Sequence, residues 1–372
     1  MTLRKILLEM LALLLILGGL EGAYRLYKLH RYGMADYPDT LSVGYFELHP
    51  RYGIVPKKSF SSESIPLKIR AEPTLKVSFG SKYTTNTLGF RGPEISVLKP
   101  RGVYRVAVIG DSATLSIELD DEDTWPAALQ TLLQEDRDFL RAHGVERVEV
   151  INASGGAWRT KEGLIRLEEE VRPLQPDMVL SALSWNDGFK GIKGIDPERV
   201  RVPRKPWVRR VKIFENLWIR FDNLKDADRG TQEKLRKKIL RDSRWADSFV
   251  RNLKEMDRVC RGMGAVLLLV DLPGLCRRGA APDSEEFRAV LSGTRVTPAG
   301  WPLWVDLKGM MSGLFQEVSH ETGIPVIDVS GRFEVFTGPE RVALFMDEMH
   351  ASKPGAREIA RAVHQALKTE NR

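Results

Sequence analysis

The feature that most limits what this chain can fold into is an alternation of two hydrophobic periods beyond Gly102. Continuous apolar runs at 104–109, 148–152, 178–183, 265–270 and 325–329 read as strands. Segments 124–140, 160–171, 243–261 and 303–322 lie between or beside them with helical spacing, and a last helix is expected over 353–367. Strands apolar at every position are buried on both faces, and strands that alternate with helices build parallel sheets. The expectation is therefore an α/β fold: a doubly wound, flavodoxin-like parallel sheet of five strands with helices on both faces, its site at the carboxyl ends of the strands.

The 372 residues suffice for one large α/β domain plus additions. Residues 1–30 stand outside it. Leu3-Arg4-Lys5 precedes an apolar stretch, Ile6 to Leu20, interrupted only by Glu9, which reaches the length of a bilayer span by including Glu21 to Tyr24. Gly19-Leu-Glu-Gly-Ala23 is a poor cleavage site, so the segment reads as an uncleaved signal anchor, with the body exported and the N-terminus cytoplasmic. Arg25, Lys28 and Arg31 beyond the span weaken that orientation against Arg4 and Lys5. The implied location is the inner (cytoplasmic) membrane, single-pass, with the folded body extracytoplasmic.

Residues 31–100 form a loop- and β-rich extension, with short alternating pieces such as 75–79. The α/β body occupies 101–372 and carries a basic insertion at about 188–242, where Arg199, Arg201, Arg204, Lys205, Arg209 and Arg210 are interleaved with Trp207, Phe214, Trp218 and Phe221. That insertion is either an amphipathic cap that meets the membrane or an anionic polymer, or a solvated lid packing its aromatics on the body. A shorter insertion spans 275–302.

Composition narrows the function classes. A formal charge of +7 favours anionic surroundings, yet no zinc-finger spacing, RNA-recognition signature or basic heptad supports a nucleic-acid partner. Two cysteines, Cys260 and Cys276, can pair or remain buried thiols, and are too few for a thiolate zinc site. No histidine pair has metal-ligand spacing, so no metal and no cofactor are expected. The turn after the first core strand lacks the Gly-x-Gly-x-x-Gly through which a dinucleotide's pyrophosphate approaches the backbone.

That turn is Gly110-Asp111-Ser112, and near the carboxyl terminus stands Asp347-Glu-Met-His350. A serine hydroxyl is a weak nucleophile until a base takes its proton. In a helical turn, a three-residue separation puts Asp347 and His350 on one face, where the carboxylate orients the imidazole. Asn152-Ala-Ser-Gly-Gly-Ala-Trp158 follows the second strand and offers backbone amides. Ser184-Trp-Asn186-Asp187-Gly188 follows the third and offers a side-chain amide.

These blocks, in this order, resemble the SGNH (GDSL-type) serine hydrolase superfamily, bacterial membrane-anchored type, over roughly 102 to the end. The resemblance implies a serine esterase, acyl hydrolase or acyltransferase without a cofactor. Ser112 would be its nucleophile, His350 its base and Asp347 the base's partner. The oxyanion hole would be made by the Ser112 amide, an amide at Gly156 or Ala157, and Asn186. Asp111 and Asp187 flank these residues as candidate substrate contacts. Upstream, 85–94 resembles a segment that precedes such domains, and Asn86 and Arg91 either line the cleft or brace it. Ala113 replaces the usual leucine, and the second-block glycine falls on Ala157, whose Cβ restricts the backbone if φ is positive. The substrate expected is a small ester or an acylated envelope glycan, with a lipid ester (lysophospholipase or thioesterase) as the alternative. A non-catalytic envelope scaffold or glycan-binding protein with the same fold is the reading from outside enzymology.

Overall fold

The computed structural model describes residues 3–32, 44–64, 82–192, 196–200, 234, 237, 244–277 and 301–370. Helix α1 (Leu3–Tyr32) is long and apolar enough to cross a membrane, and none of its apolar span is buried against the rest of the chain. A short antiparallel hairpin follows, β1 (Phe46–His49) with β2 (Gly53–Pro56).

The body is a five-stranded, all-parallel sheet in the order β4-β3-β5-β6-β7. Its strands are β3 (Val103–Gly110), β4 (Arg147–Asn152), β5 (Met178–Ala182), β6 (Val266–Asp271) and β7 (Val326–Asp328). The sequence places each of them within two residues of its observed ends. All eight residues of β3 and all five of β5 are buried, as strands covered on both faces must be. Alternation along β3 divides the core. Val106 and Val108 face one hydrophobic cluster with α2 (Trp125–Glu135), whereas Ala107 and Ile109 face the other with Leu164, Phe249 and Phe315.

Two helical expectations change. The segment read as one helix over 124–140 is two, because Asp136 ends α2 and its carboxylate accepts the amides of Asp138 and Phe139 at 3.1 and 3.2 Å, capping a second helix, Arg137–His143. After α3 (Thr160–Arg166) the chain widens into a π-type turn, Leu167–Val171, so that helix is shorter than 160–171. The stretch after β5, where no helix is expected, opens α4 (Trp185–Ile192). Gly188 and Gly191 hide this helix from a propensity reading. Both are small because Leu307 and Trp245 occupy the space that a Cβ would need.

Helices α5 (Arg244–Gly262), α6 (Trp301–Thr322) and α7 (Lys353–Glu370) complete the layers. Cys260 and Cys276 are buried and unpaired, which settles the alternative in favour of two thiols. The piece at 75–79, most of the basic insertion including Trp207, Phe214, Trp218 and Phe221, and most of 275–302 lie outside the described residues.

One close approach fixes the end of the chain that carries His350. Gly355, in the first turn of α7, meets the backbone carbonyl of Leu344, and that oxygen also accepts the Ser352 amide at 2.9 Å. A methyl group there collides with backbone, which cannot rotate away. Gly355→Ala is expected to lower the unfolding free energy by about 1–3 kcal/mol, read as a reduced urea midpoint of the detergent-solubilised chain.

Candidate active site

The carboxyl end of β3 delivers Ser112. Gly110 is glycine because Thr114 fills the space beside its Cα. Asp111 leaves the strand in extended geometry and its carboxylate accepts the Ala113 amide at 3.0 Å, capping the single turn Ser112–Leu115. Ser112 stands at the start of that turn, half-exposed, with its hydroxyl toward His350.

From beyond β7 the chain brings His350 across the sheet edge. Its Nε2 lies 2.9 Å from Ser112 Oγ, and its Nδ1 lies 2.6 Å from Asp347 Oδ2. Asp347 is held in turn by the amides of Met349 and His350, which donate to its Oδ1 at 2.9 and 2.7 Å. The three-residue spacing is not set in a helical turn, as the sequence suggests. It sits in a loop closed by a bridge between Phe345 and Ala351 and by the Met346 amide on the His350 carbonyl at 2.8 Å. Such a loop also turns both side chains to one side.

Burial alone would lower the His350 pKa, but the hydrogen bond and charge of Asp347 outweigh it and raise the imidazole to about 9. Burial is also the largest influence on Asp347 and acts to raise it, but the hydrogen bond and charge of His350 together with the Met349 and His350 amides outweigh it and lower that carboxyl. Glu118, which the sequence reading passes over, adds its field to His350. Burial raises the Glu118 carboxyl, and its Oε2 is enclosed with no hydrogen-bond partner among the described residues.

The second and third loops arrive on either side of Ser112. Asn152 Nδ2 donates to the Thr114 carbonyl at 3.1 Å, and the Gly155 amide is spent on the Gly110 carbonyl at 3.1 Å. Gly155 has no room for a side chain against the Trp158 ring, and a Cβ on Gly156 would press on Phe46 at 3.1 Å. Ala157 takes φ +57°. This left-handed conformation costs an L-residue roughly 1–2 kcal/mol. Asn186, in the first turn of α4, directs Nδ2 to Asp111 Oδ2 at 3.2 Å.

The four residues offered as candidate substrate contacts are buried and engaged within the protein. Asp111 is fully buried and engaged by Ala113 and Asn186, and burial raises it to about 6. Asp187 accepts the Thr160 amide and hydroxyl at 2.9 and 2.7 Å, and burial raises it to about 7. Asn86 organises its own turn, accepting the Leu88 and Phe90 amides at 3.0 Å each and donating to the Pro93 carbonyl at 3.1 Å. Arg91 donates to the carbonyls of Leu115, Ser116 and Leu119 and pairs with Asp121 at 3.1 Å. Among the described residues, no group of three or more His, Cys, Asp or Glu is placed to hold a metal ion.

No family model matches the chain. An arylesterase from Vibrio mimicus is 36% identical over 87 residues, which is 23% of this chain and 40% of that protein, so the match spans two fifths of the relative's length. The acetylxylan esterase Axe2 from Geobacillus stearothermophilus superposes with a TM-score of 0.44 at 15% identity, covering 71% of this chain and 94% of that one. A GDSL-like lipase from Bacteroides thetaiotaomicron does so with a TM-score of 0.36 at 11% identity, over 72% of this chain and 88% of that one.

The electrostatics can be checked without reference to activity. A negative charge favours the imidazolium, so nitrogen NMR is expected to show His350 titrating near about 9. Asp347→Asn should bring the midpoint to or below the ordinary value of about 6.5. Glu118→Gln should lower it by a smaller step. A wild-type midpoint already at the ordinary value would contradict the arrangement.

Proposed function

We propose that this chain is a serine esterase or acyltransferase that forms an acyl-enzyme on Ser112. The observation that carries the reading is the continuous hydrogen-bonded line from Ser112 Oγ through His350 to Asp347, at 2.9 and 2.6 Å. In the first step the hydroxyl oxygen attacks an ester carbonyl while His350 Nε2 takes its proton. Asp347 stabilises the imidazolium so formed and keeps the ring oriented. Negative charge on the former carbonyl oxygen would be met by the Ser112 amide, an amide of the Gly156–Ala157 turn and the Asn186 side chain. Collapse of this intermediate breaks the bond to the alcohol, which leaves with the proton from His350. Water or a sugar hydroxyl then attacks the acyl-serine by the same route in reverse.

An acetyl ester of a cell-envelope glycan is the substrate class we favour. Helix α1, apolar and unburied over its span, supports a place at a membrane, and the formal charge of +7 suits an anionic polymer. The proposed arrangement has the helix in the inner membrane and the catalytic body on its outer side.

Purified protein is expected to hydrolyse p-nitrophenyl acetate and to be labelled by a fluorophosphonate at Ser112. Ser112→Ala should lower kcat at least about a thousandfold and abolish the label. Because His350 must be deprotonated to act, kcat/KM should rise with pH through a limb on the alkaline side of neutrality. Absence of both hydrolysis and labelling would leave the scaffold reading in its place. A steep preference for long-chain over acetyl esters would move the substrate to a lipid.

A further inference from the structure

Helix α4 presents Asn186 and Lys190 one turn apart and therefore on one face. Asn186 reaches back to Asp111 beside the nucleophile, as described above. Lys190 reaches the other way, and its Nζ donates to the backbone carbonyl of Ala157. Ala157 is the residue held at φ +57° in the turn proposed above to supply backbone amides to the oxyanion. A half-buried lysine is thus attached to the one peptide of that turn whose conformation an L-residue resists. Burial lowers the Lys190 ammonium, with Glu162, Asp187 and Asp111 opposing that fall and Arg159 adding to it. A merely solvated lysine would make this contact in passing and nothing would follow from losing it.

We propose that Lys190 is a positioning residue for the donor turn, pinning the Ala157 carbonyl so that the Gly156–Ala157 amides stay aimed at a developing oxyanion. The inference rests on the acyl-enzyme reading of Ser112. Pinning a carbonyl fixes the peptide plane that follows Ala157 and restrains the plane before it through the left-handed φ. Donors fixed in advance need no reorganisation when charge appears on the substrate oxygen, so their effect belongs to the transition state rather than to ground-state binding. Arginine carries the same charge and can donate to the same carbonyl, whereas methionine keeps the stem and loses the donor.

The test is a double-mutant cycle on the full-length, detergent-solubilised protein with p-nitrophenyl acetate and a fluorophosphonate. Lys190→Met should lower kcat by about 10- to 100-fold, within the range for losing an oxyanion donor. KM should stay within about twofold, the pattern of a contact made only in the transition state. Labelling at Ser112 should slow by a comparable factor, and Lys190→Arg should recover most of both. Glycine adopts positive φ freely, so in an Ala157→Gly background the loss on removing Lys190 should shrink markedly.

Wild-type kcat and labelling in Lys190→Met would overturn the proposal. So would equal losses in the two backgrounds, which is also what a general loss of folding would give. If the wild-type protein is itself neither active nor labelled, the acyl-enzyme reading is what has failed.

Discussion

The structure depends on a single constraint at β3, a strand with neighbours on both edges and cover on both faces. Only its ends are free to carry chemistry. Even its one charged residue, Arg105, is fully buried and satisfied by Glu149 and the carbonyls of Ser96, Val97 and Leu174. Register does the rest. Val108 pairs with Asn152 and Gly110 with Ala182, so the loops after β4 and β5 start level with the Gly-Asp-Ser turn. The strand order reverses direction between β3 and β5, the switch point where open α/β sheets leave a crevice. Ser112, the 152–158 loop and Asn186 therefore meet because parallel pairing gives their strands a common finishing line.

That common edge explains which parts of the site are legible in the sequence. The strands are readable because runs such as Val106 to Ile109 need no partner pattern to be recognised as doubly buried. Ser112 and the Asp347–His350 pair are readable because their spacing has a chemical meaning. What the sequence does not disclose is the direction in which a polar residue at a strand end points. Asp111 and Asp187 look like cleft carboxylates on paper, yet Asp111 caps its own turn and Asp187 holds the start of α3. Glu118 and Lys190 are hidden for the opposite reason. A lone charge in a loop or helix most often faces solvent, and only the fold turns these two toward His350 and Ala157.

The inward carboxylates have a cost that helps define their role. Burial pushes Asp111 to about 6 and Asp187 to about 7, so near neutrality each is close to the point at which its charge is given up. Buried polar groups in this condition are poor sources of net stability, and replacing such groups by apolar ones is often neutral or better. What they provide here is connectivity. Asp111 joins the Ser112 turn to Asn186, and Asp187 joins α4 to Thr160, itself bonded to Asn252 of α5 at 3.0 Å. In a low-dielectric interior such fully engaged links resist small displacements strongly. The loops after β3, β4 and β5 are thereby tied to one another as well as to their own strands.

The segment ahead of the sheet belongs to the same construction. Trp158 donates from Nε1 to the Ile54 carbonyl at 2.7 Å, Phe46 closes over Gly156, and the Arg91 amide bonds the Asn152 carbonyl at 3.1 Å while its guanidinium gathers the carbonyls of Leu115 and Ser116 at the end of the Ser112 turn. The extension is in this sense an outer wall against the 152–158 loop. Its hairpin is also close in sequence to α1. Only 33–43 separate Tyr32 from Gly44, a length that can span at most about 40 Å when fully extended. If α1 lies in a bilayer with its span ending at Tyr24, helical residues 25–32 add about 12 Å, and the hairpin stands within roughly 55 Å of the membrane surface. The same hairpin that packs on the 152–158 loop would then hold the Ser112 site within that radius of the membrane, where substrates at the surface are met before those free in bulk solution.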